Sequence, residues 1–159
     1  MLLSVFLMLR LTALIHTYND ELRLGRALES LRPCYELLIF DHGSHDRTAA
    51  VAREYGGRVL VAAGASLTLA QHDWILCLLP SEALSEALEA SLFEWKLGEP
   101  AAGCAFSVAV REQAASAWHS HPPTTRLLNR QARSWSGALP ADDPQAQFLA
   151  GDLLRFREP

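Results

Sequence analysis

Residues 35–60 read YELLIFDHGSHDRTAAVAREYGGRVL. Tyr35–Phe40 is a short, largely apolar run, as expected of a strand buried on both faces. Asp41-His42-Gly43-Ser44 is made of turn formers. Asp46 stands where a cap opens a helix, over about Arg47–Tyr55. Gly56-Gly57 stops that helix, and Arg58–Ala62 begins another strand. Strand, helix and strand in immediate succession form a βαβ unit, and such units build parallel sheets.

The same alternation extends in both directions. Upstream, Leu11–His16 is an apolar strand, with Met1–Arg10 read as its extension. Asn19 or Asp20 is placed to cap Glu21–Leu31, where Leu24, Ala27, Leu28 and Leu31 recur at helical spacing and Pro33 ends the run. Downstream, Gly64–Gln71 reads as a loop or a short helix. Asp73–Leu79 is a strand ended by Pro80. Ser81 is expected to cap a helix reaching about Lys96, with Leu84, Leu88, Leu92 and Trp95 on one face. Ala102–Val110, Thr124–Asn129 and Asp152–Phe156 read as strands, and Trp135–Pro144 as a loop. The fold class is therefore α/β, a mostly parallel sheet covered on both faces. Such sheets bind ligands beyond the carboxyl ends of their strands. Here those ends are His16–Asp20, Asp41–Asp46, Ala62–Ala65 and Leu79–Glu82.

Composition agrees with one globular domain: 159 residues, half of them hydrophobic, and a formal charge of −4. The acidic balance argues against a nucleic-acid partner, which calls for a basic face. Cys34, Cys77 and Cys104 show no CxxC spacing and read as three reduced, buried thiols. Arg10 interrupts the apolar start well short of the ~20 residues of a membrane span, and no positive n-region precedes Leu2. Met1 and Met8 are alternative candidate starts. There is no Walker loop and no GxGxxG.

At the first strand end, Thr17 and Asn19 offer hydrogen bonds and Tyr18 an aromatic face. At the second, Asp41 can accept from the N–H of a base or from ribose hydroxyls. Each segment alone reads more simply as a capped turn. Together, LTALIHTYNDELRLGRALESL, YELLIFDHGSHDRTAAVAREYGGRVL and AQHDWILCLLPSE resemble the N-terminal half of family 2 glycosyltransferases. That pattern is a strand, T-x-N-E-E, a strand ending D-x-G-S-x-D-x-T, and later a strand ending in an acidic metal motif. Asp73-Trp74 and Thr125–Gly137 (TRLLNRQARSWSG) are most similar to the lipopolysaccharide-core branch.

The resemblance implies a GT-A-like fold, a three-layer sandwich in one domain. Residues 11–97 would be the nucleotide-binding half and 102–159 a shortened acceptor-side half. It implies a nucleotide-sugar donor such as a UDP-sugar, and a glycan or lipid-linked acceptor in cell-envelope polysaccharide synthesis. The implied location is the cytoplasm, at or near the inner face of the membrane, and a homodimer is left open. Thr17, Tyr18, Asp41 and Arg53 would hold the nucleotide. The divalent metal of the family, Mn²⁺ or Mg²⁺, prefers carboxylate oxygens. Leu79-Pro80-Ser81-Glu82 offers one, Glu82, which is equally well read as the first turn of a helix. Inverting transfer needs a base. Where the branch has a His-Glu pair this chain reads Leu139-Pro140-Ala141, and Asp142 and Asp143 are the nearby carboxylates. A catalytically degenerate relative that binds a nucleotide or a partner protein is the alternative. His119 and His121 read as a surface loop, Trp118 and Trp135 as packing residues. Lys96 and the arginines of 126–133 read as a solvated basic stretch.

Overall fold

The computed structural model describes residues 8–159. Among the described residues, five strands and three helices fill Leu11–Trp95, and three longer strands follow. They are β1 (Leu11–Thr17), α1 (Leu24–Glu29), β2 (Cys34–Asp41), α2 (Thr48–Glu54), β3 (Arg58–Val61), β4 (Trp74–Leu78), β5 (Glu82–Leu84), α3 (Glu86–Trp95), β6 (Ala105–Ala114), β7 (Ala117–Asn129) and β8 (Gln147–Phe156). One sheet holds all eight strands in the order β3-β2-β1-β4-β7-β6-β8-β5. The pairings β1–β2, β1–β4, β2–β3 and β6–β8 are parallel; β4–β7, β5–β8 and β6–β7 are antiparallel. The expected α/β class with a mostly parallel sheet is borne out. The antiparallel strands gather on the β7 side of β4.

Strand alternation divides the core in two. Leu11, Ala13 and Ile15 of β1 face a cluster that includes Leu24, Ala27 and Leu28 of α1, Ala52 of α2, and Leu88 and Leu92 of α3. Leu14, Leu38, Phe40, Ile75 and Cys77 face the other way, where Ala70, Leu67, Trp135 and Leu139 cover them. Among the described residues no α-helix contributes to this second cluster. The third layer is irregular chain, including the 3₁₀ turn Leu67–Leu69, which settles the ambiguity over 64–71.

Several local expectations are corrected. Ser81 caps nothing: the chain makes the short strand β5 first, and Ser85 is the cap, its Oγ accepting the Leu88 N–H at 3.2 Å. Neither Asn19 nor Asp20 caps α1, whose N-cap is Arg23 with no side-chain bond. His119 and His121 lie in β7, not in a loop. Lys96 is buried, its Nζ donating to the Pro33 carbonyl at 2.9 Å. Only Cys77 is fully buried; Cys34 and Cys104 are half-buried, and all three are free thiols. The expected extension of the first strand lies, for residues 1–7, outside the described residues, and Met8–Arg10 are not strand. Among the described residues no helix is long and apolar enough to cross a membrane.

Candidate functional site

The carboxyl ends of β1 and β2 meet because the strands are parallel and in register, Thr17 lying opposite Asp41. The two turns that follow are laced together. The His42 N–H donates to the Thr17 carbonyl at 2.9 Å. The Asn19 N–H donates to Ser44 Oγ at 2.9 Å, and the His45 N–H to Asn19 Oδ1 at 2.8 Å. The Asp20 N–H donates to Thr48 Oγ1 at 2.8 Å, and the Arg47 N–H to Glu21 Oε2 at 3.0 Å. Asn19 takes the left-handed conformation at φ 52°, and Gly43 takes φ 84°. Both are residue types suited to it. The Thr, Asn, Asp and Ser side chains that read as turn formers are the cross-links of one rigid ledge.

On this ledge Thr17 is buried and donates to Asp20 Oδ2 at 2.8 Å. Tyr18 is 55% exposed, its ring free of the core. Asp41 is half-buried and accepts from the Ser44 N–H and hydroxyl. These three lie together at the ends of β1 and β2. Arg53 does not join them. It lies exposed in the last turn of α2, which runs back from the β2 end toward the start of β3.

His16 is the residue sequence reading missed. Its Nδ1 lies 2.8 Å from Nε2 of His42. Its ring meets Phe40 edge-on at 5.2 Å. Burial and the neighbouring His42 hold His16 below its ordinary pKa. A cavity of about 60 Å³ adjoins it, lined by Phe40, Ser66, Trp135 and Gly137 among others. The available signal was parity: with Phe40 opposite His16, His42 two residues later returns to the same face.

The Glu82 expectation is overturned. Glu82 is fully buried and pairs bidentately with Arg126, Nη1–Oε2 2.7 Å and Nη2–Oε1 2.9 Å. Arg155 adds a bond at 2.9 Å, and the Leu79 N–H another at 3.0 Å. Burial alone would raise this carboxyl, but the Arg126 bonds and charge, with Leu79 and Arg155, hold it below the usual range. Both oxygens are spent on arginines, so Glu82 is not a metal ligand. Arg126, read as part of a solvated stretch, is itself fully buried. Its signal was its setting, a lone cation between Thr124-Thr125 and Leu127-Leu128.

The residues present do not fit the divalent metal that the resemblance implies. Leu79, Pro80 and Ser81 supply no carboxylate. Among the described residues no three His, Cys, Asp or Glu side chains converge. Asp142 and Asp143 sit against β7, at Thr125. Oδ1 of Asp142 accepts the Thr125 N–H at 2.9 Å, and the Asp143 N–H donates to Thr125 Oγ1 at 2.8 Å. Thr125 is two residues past the last β4–β7 pair, Leu76–Leu127, toward the carboxyl end of β4. The Gln145 N–H and the Arg133 guanidinium keep Asp143 below the usual carboxylate range.

No family model matches the chain. A stretch of 47 residues, 30% of this chain, is 47% identical to the lipopolysaccharide core biosynthesis glycosyltransferase LpsC of Rhizobium meliloti and covers 17% of that protein. The suspected likeness to lipopolysaccharide-core glycosyltransferases is borne out over that stretch. Among solved structures, mannosyl-3-phosphoglycerate synthase from Rubrobacter xylanophilus is 18% identical, with a TM-score of 0.48 over 65% of this chain and 39% of its own. Glucosyl-3-phosphoglycerate synthase from Mycobacterium tuberculosis, solved with Mn²⁺, UDP and glucosyl-3-phosphoglycerate, is 17% identical, with a TM-score of 0.47 over 65% of this chain and 43% of its own.

Proposed function

We propose that this chain is a glycosyltransferase domain of cell-envelope polysaccharide synthesis, acting in the cytoplasm on a UDP-sugar donor and a glycan or lipid-linked acceptor. The observation that carries the reading is the pairing of Thr17 with Asp41 at the carboxyl ends of adjacent parallel strands, with Tyr18 exposed beside them. Asp41 accepts from the nucleoside, Tyr18 offers a stacking face, and the cross-linked turns hold both without reorganisation on binding. Residues 11–97 form the nucleotide half and 102–159 the acceptor side. The 47-residue similarity to LpsC supports the same reading. Of the two candidate bases, Asp142 is the better one: it is exposed, whereas Asp143 is tied to Arg133 at 2.7 Å. Inverting transfer would move the acceptor proton to that carboxylate as the acceptor oxygen bonds to the anomeric carbon and the bond from that carbon to the diphosphate oxygen breaks, releasing UDP.

A second reading, a nucleotide-binding relative without catalysis, is favoured by one observation: Leu79, Pro80 and Ser81 stand at the acidic motif and Glu82 is sealed by arginines. Calorimetric titration of UDP, with Mn²⁺ and then with EDTA, tests the common part. Saturable binding that Asp41→Ala weakens at least tenfold supports the pocket. Absent binding, or binding indifferent to Asp41→Ala, overturns it. Turnover of a UDP-sugar supports the transferase; binding without turnover across donors supports the second reading.

A further inference from the structure

We propose that Lys96, Arg10 and Arg32 form a binding site for a phosphate-class anion at the amino ends of β1 and β2. The observation behind it is a buried cation without a counter-charge. Lys96 is 8% exposed. Its Nζ donates to the Pro33 carbonyl at 2.9 Å and stands 5.2 Å from the Phe93 ring. Among the described residues no carboxylate pairs with it, and the sequence of residues 1–7 contains no Asp or Glu. An ammonium has three N–H donors, so two remain for another partner. A charge held out of water without an opposite charge is costly. The partner that removes this cost is an anion.

Lys96 lines a cavity of about 360 Å³ together with Arg10, Arg32, Cys34 and Tyr35, and no carboxylate lines it. The Arg10 guanidinium lies over the Tyr35 ring at 4.3 Å. Stacking occupies the face of the guanidinium and leaves its N–H edge for an oxygen ligand. Arg32 reaches Glu89 at 3.5 Å, but its side chain is 69% exposed. Such a surface contact is weak and leaves Arg32 free to turn to the cavity. The Cys34 thiol does not supply the missing charge, because burial pushes it up to about 12. Two guanidiniums and one ammonium suit a doubly charged tetrahedral oxyanion better than a lone carboxylate. Free phosphate and the phosphate of a lipid headgroup share that chemistry. Exposed Met8, Tyr35 and Leu97 lie beside the cations and offer an apolar rim for the second. The seven residues of β1, roughly 20 Å at about 3.3 Å per residue, separate this site from the Thr17–Asp41 ledge. The proposal therefore does not depend on the nucleotide reading.

The experiment titrates the full chain with inorganic phosphate by calorimetry and, separately, with vesicles of phosphatidylcholine with and without phosphatidic acid. NMR of the lysine and arginine side chains locates the binding. The expected result is saturable binding that shifts the Lys96 Nζ and Arg10 Nε signals. Lys96→Met keeps the apolar stem, removes the charge and weakens binding at least tenfold. Without anion that variant should be at least as resistant to urea as the parent, because a lone buried charge is gone. Added phosphate should then stabilise the parent and not the variant. Arg10→Gln, at an exposed position, also weakens binding and carries no risk to the core. Saturation by free phosphate without preference for phosphatidic acid assigns a soluble anion. Vesicle binding that requires phosphatidic acid, and is lost in both variants, assigns a headgroup. Binding of neither probe, or binding indifferent to Lys96→Met and Arg10→Gln, overturns the proposal.

Discussion

Glu82 and Arg126 meet bidentately with both side chains fully buried, joining the start of β5 to the last third of β7. Strands at opposite ends of the antiparallel region are thereby tied through one carboxylate. Removing one partner leaves a buried charge alone, which typically costs about 3–5 kcal/mol. Arg126→Met and Glu82→Gln are each expected to lower the unfolding free energy, measured by urea titration, by that order. The double variant should lose markedly less than the sum of the two, because the orphaned charge goes with its partner. Additive losses would show that the two groups act independently.

Gly151, at φ 99°, lies under the first turn of α3, where a Cβ would stand 2.2 Å from the Leu88 nitrogen. Gly151→Ala must push α3 off β8 as well as adopt a strained backbone. A loss of about 3 kcal/mol or more is expected, beyond what overpacking of a flexible site costs. Ser85 ties the same junction, its Oγ accepting from Leu88 and, at 3.0 Å, from the Asp152 N–H. Ser85→Ala should cost about 1–2 kcal/mol. Thermal denaturation of the two variants ranks them; a Gly151→Ala protein as stable as the parent would refute the contact.

Acid stability follows from carboxylates held low in the fold. Asp73 is lowered by the Gln131 amide and then by Arg130, and Asp143 by the Gln145 N–H and then by Arg133. Each native pKa lies below the unfolded value of about 3.9. Their contribution is therefore complete above that value and disappears as pH falls through the native pKa. Asp73→Asn combined with Asp143→Asn should flatten the stability curve below about pH 4. An unchanged acid limb in urea titrations from pH 2 to 6 would rule these groups out.

Thiol reactivity should separate the three cysteines. Burial of the sulfur pushes the Cys34 and Cys77 thiols up to about 12, although Cys34 as a whole residue is half-buried like Cys104. The thiolate is the reactive form. Alkylation of native protein at pH 8 is expected to label Cys104 first, with the other two reacting only on unfolding. Mass spectrometry of the labelled peptides decides it.

The parallel half was legible because its signals are local. Tyr35–Phe40, the Asp41–Asp46 turn and Gly56-Gly57 lie within one βαβ unit, and periodicity and turn chemistry act over that range. The strand-end rule pointed to the segments that hold Thr17 and Asp41, and the family resemblance proposed their role. Glu82 was misread because its partners, Arg126 and Arg155, are distant in the chain and arrive only through strand order. The same applies to His16 and His42, whose meeting depends on the β1–β2 register. Ser81 misled because β5 spends three residues before the helix begins, and a three-residue strand leaves no periodicity.

β8 lies between β6 and β5, although it is the last strand of the eight. Its Arg155 reaches back 73 positions to Glu82. The βα units around β1 to β4 can assemble from near neighbours. β5, by contrast, has no strand to pair with until β8 arrives. Closing so long a loop before any contact rewards it slows folding. Refolding should therefore be stepwise in time, with the parallel strands protected early and the β5–β8 edge last. Arg126 must wait beside its carboxylate while the third member of the cluster is still unplaced.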